Sequence, residues 1–311
     1  MKTIKLTYPH NLKQENIPDT IAAIGFFDGL HKGHQKVIQH AVQLAKKHEK
    51  ESAVISFHPH PSVVLNKSEK SVHYITTLDE KEEFLAEMGV DRLYIITFNK
   101  ELSLLSPERF IEHFIGNLHI THLVAGFDYT FGHKGAGNMN NIDTYSQGYF
   151  KTTSIEAVTW EEEKVSSTRI RAHLTNGSVD KVKQLLGRPY QTKGIVVEGA
   201  KRGRKLGFPT ANLHVHEEKF LPKQGVYAVK VKHNGKLYQG MTNLGVKPTF
   251  EKDVLKQSIE VNIFDMDEDL YGKELTIYWY QYVRDEKKFN SLDELIDQLK
   301  TDEKTIRNYF A

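Results

Sequence analysis

The stretch Ile24-Gly25-Phe26-Phe27-Asp28-Gly29-Leu30-His31-Lys32-Gly33-His34 decides the reading of this chain. The apolar run from Ile21 to Phe27 that leads into it has the composition of a buried strand. Gly25 and Gly29 then punctuate a turn. Beyond it Val37, Ile38, Ala41, Val42, Leu44 and Ala45 recur at helical spacing, which predicts a helix over 34–47. A strand, a glycine turn and a helix start offer free backbone N–H groups to a phosphate in an α/β sheet. His31 and His34, three residues apart, would face that spot. The competing reading is a capped helix with two incidental surface histidines, since the chain carries 16 of them.

Working outward, the alternation continues. Strand composition recurs over 52–57, 93–98, 120–125 and 154–158. Helices are expected from Thr77, a suitable N-cap, to Met88, from Ser106-Pro107 onward, from Ser166 onward and over 179–186. Alternating strands and helices predict parallel βαβ units, a Rossmann-like α/β domain spanning 1–186. At Gly187-Arg188-Pro189-Tyr190 the pattern changes. Segments 191–199, 225–233, 237–242, 257–264 and 273–281 alternate like strands, and Asn234-Gly235 is a strong hairpin signal. A helix follows over 291–309, with Ser291 and Glu294 as a capping box. Residues 187–311 are therefore expected to form a small antiparallel β-barrel with one terminal helix. A length of 311 residues suits two such domains.

Composition narrows the function classes. Hydrophobic residues make up 39% and charged residues 26%, ordinary values for a globular protein. A net charge of +2 is too mild to make nucleic acid the main partner. With no cysteine there is no disulfide or thiolate metal site, which fits a cytoplasmic protein. Met1 to Leu6 lacks the apolar core of a signal peptide, and no run reaches the roughly twenty apolar residues of a membrane span. The loop His133 to Asn141 holds two glycines but no Gly-Lys-Ser/Thr ending, so it is not a P-loop.

Four stretches could carry chemistry. In the first half these are His31/His34, His58-Pro59-His60-Pro61 and Ser166-Ser167-Thr168-Arg169-Ile170-Arg171. Imidazoles at a helix start can stabilise charge on a transferring phosphorus, and arginines with hydroxyls can hold a leaving pyrophosphate. Nothing there looks like a covalent nucleophile, so the chemistry would be positioning plus electrostatics. The alternatives are an ordinary cap with surface arginines, and a structural zinc site built from His31, His34, His58 and His60. In the second half, Gly199 to Leu213 interleaves four cations with glycines, as a phosphate-wrapping loop does. Thr210 and Asn212 offer oxygen ligands for a phosphate-bound Mg²⁺. Glu260, on a strand with alternating apolar positions, is a candidate general base or simply an exposed barrel residue.

Together these motifs resemble the bacterial bifunctional FAD synthetase family, in which riboflavin kinase is joined to FMN adenylyltransferase. The likeness spans nearly the whole chain. It also covers Gly126-Phe127-Asp128-Tyr129-Thr130-Phe131-Gly132, Gly203-Arg204-Lys205-Leu206-Gly207-Phe208-Pro209-Thr210-Ala211-Asn212, Asn243 to Phe250, Asp269 to Gly272 and Arg284 to Phe289. The resemblance implies a nucleotidylyltransferase domain over 1–186 and a riboflavin kinase domain over 187–311. It implies ATP as co-substrate, Mg²⁺, and riboflavin, FMN and FAD as substrates and products, with no nucleic-acid or membrane partner. His31, His34 and Glu260 would be catalytic. Gly25, Phe27, Asp28, Asp128, Lys164, Ser167, Thr168 and Arg169 would bind nucleotide and phosphate in the first domain. Gly203, Arg204, Gly207, Pro209, Thr210 and Asn212 would do so in the second, Thr210 and Asn212 also holding the metal. Arg284 and Phe289 would touch flavin. Lys247 stands where the family often has Asn, and Tyr129 where Phe is frequent. Two alternatives stay open: only one activity is live, or the chain is a flavin- or RNA-binding regulator without catalysis. Oligomeric state is not legible.

Overall fold

Ile21, Ala22, Ala23 and Ile24 are all buried, and they alternate between two cores. Ile21 and Ala23 pack on one face of a sheet, Ala22 and Ile24 on the other. Burial on both faces is what a parallel sheet covered by helices demands, and it explains the unbroken apolar composition. The structure, a computed structural model, describes residues 1–10, 17–65, 72–146, 148–199, 207–248 and 255–311, with backbone alone at 247, 248, 255 and 256. The chain divides into two compact units, Met1–Ser167 and Thr168–Ala311.

The first unit is built on a six-stranded sheet. Its strands are β1 (Lys2–Thr7), β2 (Thr20–Ile24), β3 (Glu51–His58), β4 (Arg92–Thr97), β5 (Ile120–Gly126) and β6 (Lys151–Ile155). They lie in the order β1-β4-β3-β2-β5-β6, and every neighbouring pair is parallel. Helix α1 (Lys32–Lys47) buries Val37, Ile38, Ala41 and Ala45 against the sheet. Helix α2 (Leu78–Glu87) starts at Thr77, with the Glu80 side chain completing a capping box. At Ser106 the hydroxyl accepts from Arg109 N–H and Pro107 takes the first helical position, as the sequence predicts.

In the first unit three boundaries are displaced from expectation by two or three residues. The strand expected to run to Phe27 ends at Ile24, because the backbone turns at Gly25. The helix expected at 34 begins at Lys32, with His31 as its N-cap. The strand expected over 154–158 lies at Lys151–Ile155. Strand β1 was not anticipated. It is an edge strand with only Leu6 buried, so it has no apolar run to read.

The second unit holds helices α3 (Ser167–Thr175, of which Ser167 belongs to the first unit) and α4 (Val179–Leu186), then a closed antiparallel barrel. The barrel strands are β7 (Tyr190–Val197), β8 (Ala211–Val215), β9 (Gly225–His233), β10 (Lys236–Pro248), β11 (Leu255–Ile263) and β12 (Glu274–Arg284). Their order is β7-β8-β11-β10-β9-β12, with β12 pairing back onto β7. The β9–β10 hairpin turns on Asn234 (φ 47°) and Gly235 (φ 78°), the two positive values a tight primed turn requires. Helix α5 (Leu292–Phe310) is capped by Ser291, whose hydroxyl accepts from Glu294 N–H at 3.2 Å. Strand β8 begins inside the stretch read as a phosphate loop and runs past its end, and β10 continues well past 242.

Candidate active sites

In the first unit, β3 and β4 follow β2 on one side, while β5 and β6 lie on its other side. The C-terminal ends of β2 and β5 therefore flank the point where strand order reverses, the place where open α/β sheets bind ligands. A cavity of about 1060 Å³ opens there. Gly25, Phe27, His31, His34, Asp128, Lys164 and Ser167 all line it. Phe26, Phe57, Phe98, Phe110, Tyr129 and Phe131 give it an aromatic wall. That combination suits a planar aromatic ligand carrying phosphate.

The turn after β2 is held in an unusual conformation. Phe27 (φ 54°), Gly29 (φ 84°) and Leu30 (φ 45°) all have left-handed backbones. Side chains without Gly's freedom persist there only when their surroundings over-determine the geometry. Here the restraints are explicit. The Asp28 carboxylate accepts from Ile75 N–H (3.3 Å) and Thr76 N–H (3.1 Å). Ser167 Oγ donates to the Asp28 carbonyl (2.9 Å), and Gln35 Nε2 to the Leu30 carbonyl (2.7 Å). Lys81 Nζ donates to the Phe26 carbonyl at 2.8 Å. Asp28 is buried and does not line the cavity, so its acidity beside a phosphate site has a structural use: it anchors the turn.

His31 caps α1, its Nδ1 accepting from His34 N–H at 3.2 Å. An accepting Nδ1 places the proton of a neutral His31 ring on Nε2. The two imidazoles stack 3.5 Å apart, 19° from parallel. Burial, then the charges of His31, Lys81 and Lys164, holds the His34 pKa well below its ordinary value of 6.5. The His34 Nδ1 atom is buried and has no hydrogen-bond partner. A neutral, incompletely satisfied imidazole beside a 16-residue helix start with no acid in its first turn is a site for an anion. Lys164 pairs with Asp128 and lies 4.8 Å from the Phe127 ring centre. His60 packs edge-on against Phe26 at 4.5 Å. Among the described residues no group of three or more His, Cys, Asp or Glu could hold a metal, so the zinc reading has no support. Thr168 and Arg169 stand on α3, on the second unit's side of the division.

In the barrel, Glu260 stands opposite Asn212 on β8 and opposite Asn243 on β10. The three residues form a row across adjacent strands, an acid flanked by two carboxamides. Glu260 lines a cavity of about 340 Å³ with Thr210, Asn243, Asn262, Arg284 and Phe289. Thr210 and Pro209 also line a second cavity, about 470 Å³, walled by Asp267 to Tyr271. A hydroxyl at the junction of an acid-bearing pocket and a neighbouring polar one suits a metal-bridged phosphate between two substrates. Gly207 has φ 79°, a backbone that favours glycine. Gly203 and Arg204 lie outside the described residues, as does the Lys247 side chain.

Arg284 is tied down. Its Nε and Nη2 donate to Asp302, the shortest bond being 2.7 Å, and its Nη1 donates to the Asp285 carbonyl at 2.9 Å. Its guanidinium carbon lies 6.0 Å from the Phe289 ring centre. The sequence reading missed Asp302, Lys81 and Ser56. Lys81 and Asp302 sit among charged neighbours that read as surface, and Ser56 reads as one more residue of a buried strand; only long-range packing reveals their partners.

The fold and the two sites define a class: a two-domain protein joining an α/β domain with a histidine-lined cavity at its switch point to a small barrel domain carrying a half-buried acid. Family models agree. The FAD synthetase model matches residues 13–169 and the riboflavin kinase model residues 186–310. A Listeria monocytogenes protein named bifunctional riboflavin kinase/FMN adenylyltransferase is 46% identical over 311 residues, covering 100% of this chain and 99% of its own. Proteins of the same name are 44% identical in Bacillus subtilis (100% and 99% covered) and 34% in Escherichia coli K12 (97% and 96%). A crystal structure titled macrolide-efflux protein, from Streptococcus pneumoniae, superposes with a TM-score of 0.90 at 35% identity, covering 99% of each chain. The chain belongs to the bifunctional riboflavin kinase/FMN adenylyltransferase family. Among the described residues no helix is long and apolar enough to cross a membrane.

Proposed function

We propose that this chain makes FAD from riboflavin in two ATP-dependent steps, one in each unit. The observation that carries the reading is the pairing of two separate sets of machinery with two different family models: the His31/His34 cavity within 13–169, the Glu260 row within 186–310. In the barrel, Glu260 takes the proton from the terminal ribityl hydroxyl of riboflavin. The hydroxyl oxygen bonds to the γ-phosphorus of ATP as the bond to the ADP oxygen breaks, giving FMN. Glu260's place in one cavity with Phe289 and Arg284 supports this role. The hydroxyl of Thr210 and the carboxamide oxygen of Asn212 are hard donors of the kind Mg²⁺ takes, and they would hold it here. When bound, the metal neutralises phosphate charge. Gly207 and Pro209 shape the nucleotide loop, with Gly203 and Arg204 assigned on resemblance alone.

In the first unit, an FMN phosphate oxygen attacks the α-phosphorus of a second ATP and pyrophosphate leaves, giving FAD. The N–H donors of His31 and His34 and the α1 N-terminus stabilise the charge that develops on the α-phosphate. Gly25 and Phe27 supply backbone to that site, Asp28 fixes it, and Ser167 stands ready for the outer phosphates, a role given to Thr168 and Arg169 on resemblance alone. Asp128 and Lys164 flank the ribose or flavin phosphate. Partners are small molecules, and the ATP demand of both steps fits the cytoplasm. The test is product separation after incubation of riboflavin with Mg-ATP. FMN and FAD are both expected; FMN alone would remove the adenylyl half, and neither product would favour a non-catalytic flavin binder.

A further inference from the structure

Lys81 is flanked by Glu80, Glu82 and Glu83, a charged run that reads as a solvated helix face. In the fold it is buried, 4% exposed. A lone ammonium is costly to remove from water unless hydrogen bonds and opposite charge compensate it. The compensation here is specific. Nζ donates to the Phe26 carbonyl (2.8 Å) and to Ser56 Oγ (3.0 Å), and Ser56 Oγ itself donates to the same carbonyl (3.0 Å). The ammonium also lies 5.0 Å from the Phe26 ring centre. Phe26 follows the C-terminal end of β2, and Ser56 is near that of β3. Lys81 therefore sits beneath the turn that carries the left-handed Phe27 and leads to His31.

A trans peptide points its C=O and N–H in opposite directions. Anchoring the Phe26 carbonyl on Lys81 thus fixes the plane of the Phe26–Phe27 peptide and turns Phe27 N–H away from the ammonium, with Phe27 lining the cavity. The charged groups around Lys81 come from three elements. Asp28, in the turn after β2, attracts the ammonium. His34 on α1 feels its positive charge alongside those of His31 and Lys164. On its own helix, Glu80 is committed to the Thr77 cap.

We propose that Lys81 is a positioning residue of the adenylyl-transfer site: it sets the phosphate-facing turn through the Phe26 carbonyl and adds buried positive charge behind the histidine pair. The proposal rests on the reading that the first unit adenylylates FMN. Burial pushes the Lys81 ammonium down to about 8, partly offset by Asp28. Its charge is therefore lost in mildly alkaline solution when the site is empty, and bound phosphates would keep the proton on. An alkaline limb near pH 8 should appear in kcat/KM for ATP, which reports the free enzyme, and be absent from kcat.

The test compares the full-length wild type with Lys81→Met and Lys81→Arg, measuring FAD formed from FMN and Mg-ATP between pH 6.5 and 9.5. Riboflavin phosphorylation by the same preparations monitors the other unit. Lys81→Met should lower kcat/KM for ATP at pH 7 by about 10- to 100-fold, the size of one lost charge-assisted hydrogen bond, and should abolish the limb. Lys81→Arg should recover most of the rate and show no limb in this range. The proposal is overturned if Lys81→Met stays within threefold of wild type, or if the limb persists in it. If Lys81→Met does not fold, Lys81→Arg decides: a limb lost in that variant supports the role, and a limb identical to wild type refutes it. Wild type that makes no FAD from FMN would instead remove the underlying functional reading.

Discussion

Replacing Asp28 with Ala removes the anchor of the phosphate-facing turn without touching its lining. The turn holds two non-glycine residues at positive φ, Phe27 and Leu30, each costing about 1–3 kcal/mol, so about 2–6 kcal/mol of strain is stored there. Against it stand two hydrogen bonds from backbone N–H to the buried Asp28 carboxylate, together about 3–6 kcal/mol if each contributes about 1.5–3. The two sums are of one size, so without Asp28 the strain falls on the remaining bonds from Ser167, Gln35 and Lys81. About 3 kcal/mol of lost preorganisation is about a 100-fold loss in FAD formation. A unit with about 5–15 kcal/mol of stability survives such a loss folded. The assay is chromatographic separation of FMN and FAD after reaction of FMN with Mg-ATP, with riboflavin phosphorylation measured in parallel. Asp28→Ala should lose about 100-fold in the first reaction and keep the second, and Asp28→Asn, which keeps one acceptor oxygen, should fall between. FAD formation within threefold of wild type would refute the anchoring argument, and so would equal losses in both reactions.

The other predictions follow from the same geometry. Glu260→Gln should slow FMN formation by about 100- to 10,000-fold, the range for a general base, and leave FMN adenylylation intact, as assayed with each substrate separately. His31→Ala should do the reverse, at about 100-fold or more, the cost of one transition-state donor. Because burial keeps His34's folded pKa below its unfolded value near 6.5, the unfolded chain binds that proton more readily, and stability should fall as pH drops below about 6.5. A melting-temperature series from pH 7.5 to 5 should show that fall, and His34→Asn should flatten it. Asp302→Ala leaves Arg284, only 15% exposed, without its carboxylate partner. It should destabilise the barrel unit by about 3–5 kcal/mol and weaken riboflavin binding, read by chemical denaturation and by flavin fluorescence titration.

Much of the fold was legible because burial on two faces leaves a plain mark. Ile21–Ile24 and Leu93–Ile96 are continuous apolar runs, Ala53–Phe57 is broken only by Ser56, and the helices between them carry caps that sequence shows. Strand β1 left no such mark, since one buried residue in six makes no pattern. Strand β8 was hidden inside a glycine-rich basic stretch that read as loop. The histidine pair was legible because two ligand-type residues at helix-start spacing are local. Asp28 read as a phosphate neighbour, yet its partners lie 47 and 48 residues away, beyond any local rule. The Asn212–Glu260–Asn243 row depends on barrel register, and no spacing along the chain encodes it. Lys81 and Asp302 read as solvated charges because their neighbours in sequence are charged. Their partners are supplied by the tertiary fold.

If one chain carries two independent sites, mixing two crippled variants restores the whole conversion. Glu260→Gln alone should convert riboflavin to neither product, and His31→Ala alone should accumulate FMN. Combined with riboflavin and Mg-ATP, the two should make FAD, because FMN released by one is adenylylated by the other. A mixture that yields no FAD, or single variants that each lose both reactions while remaining folded, would contradict the claim.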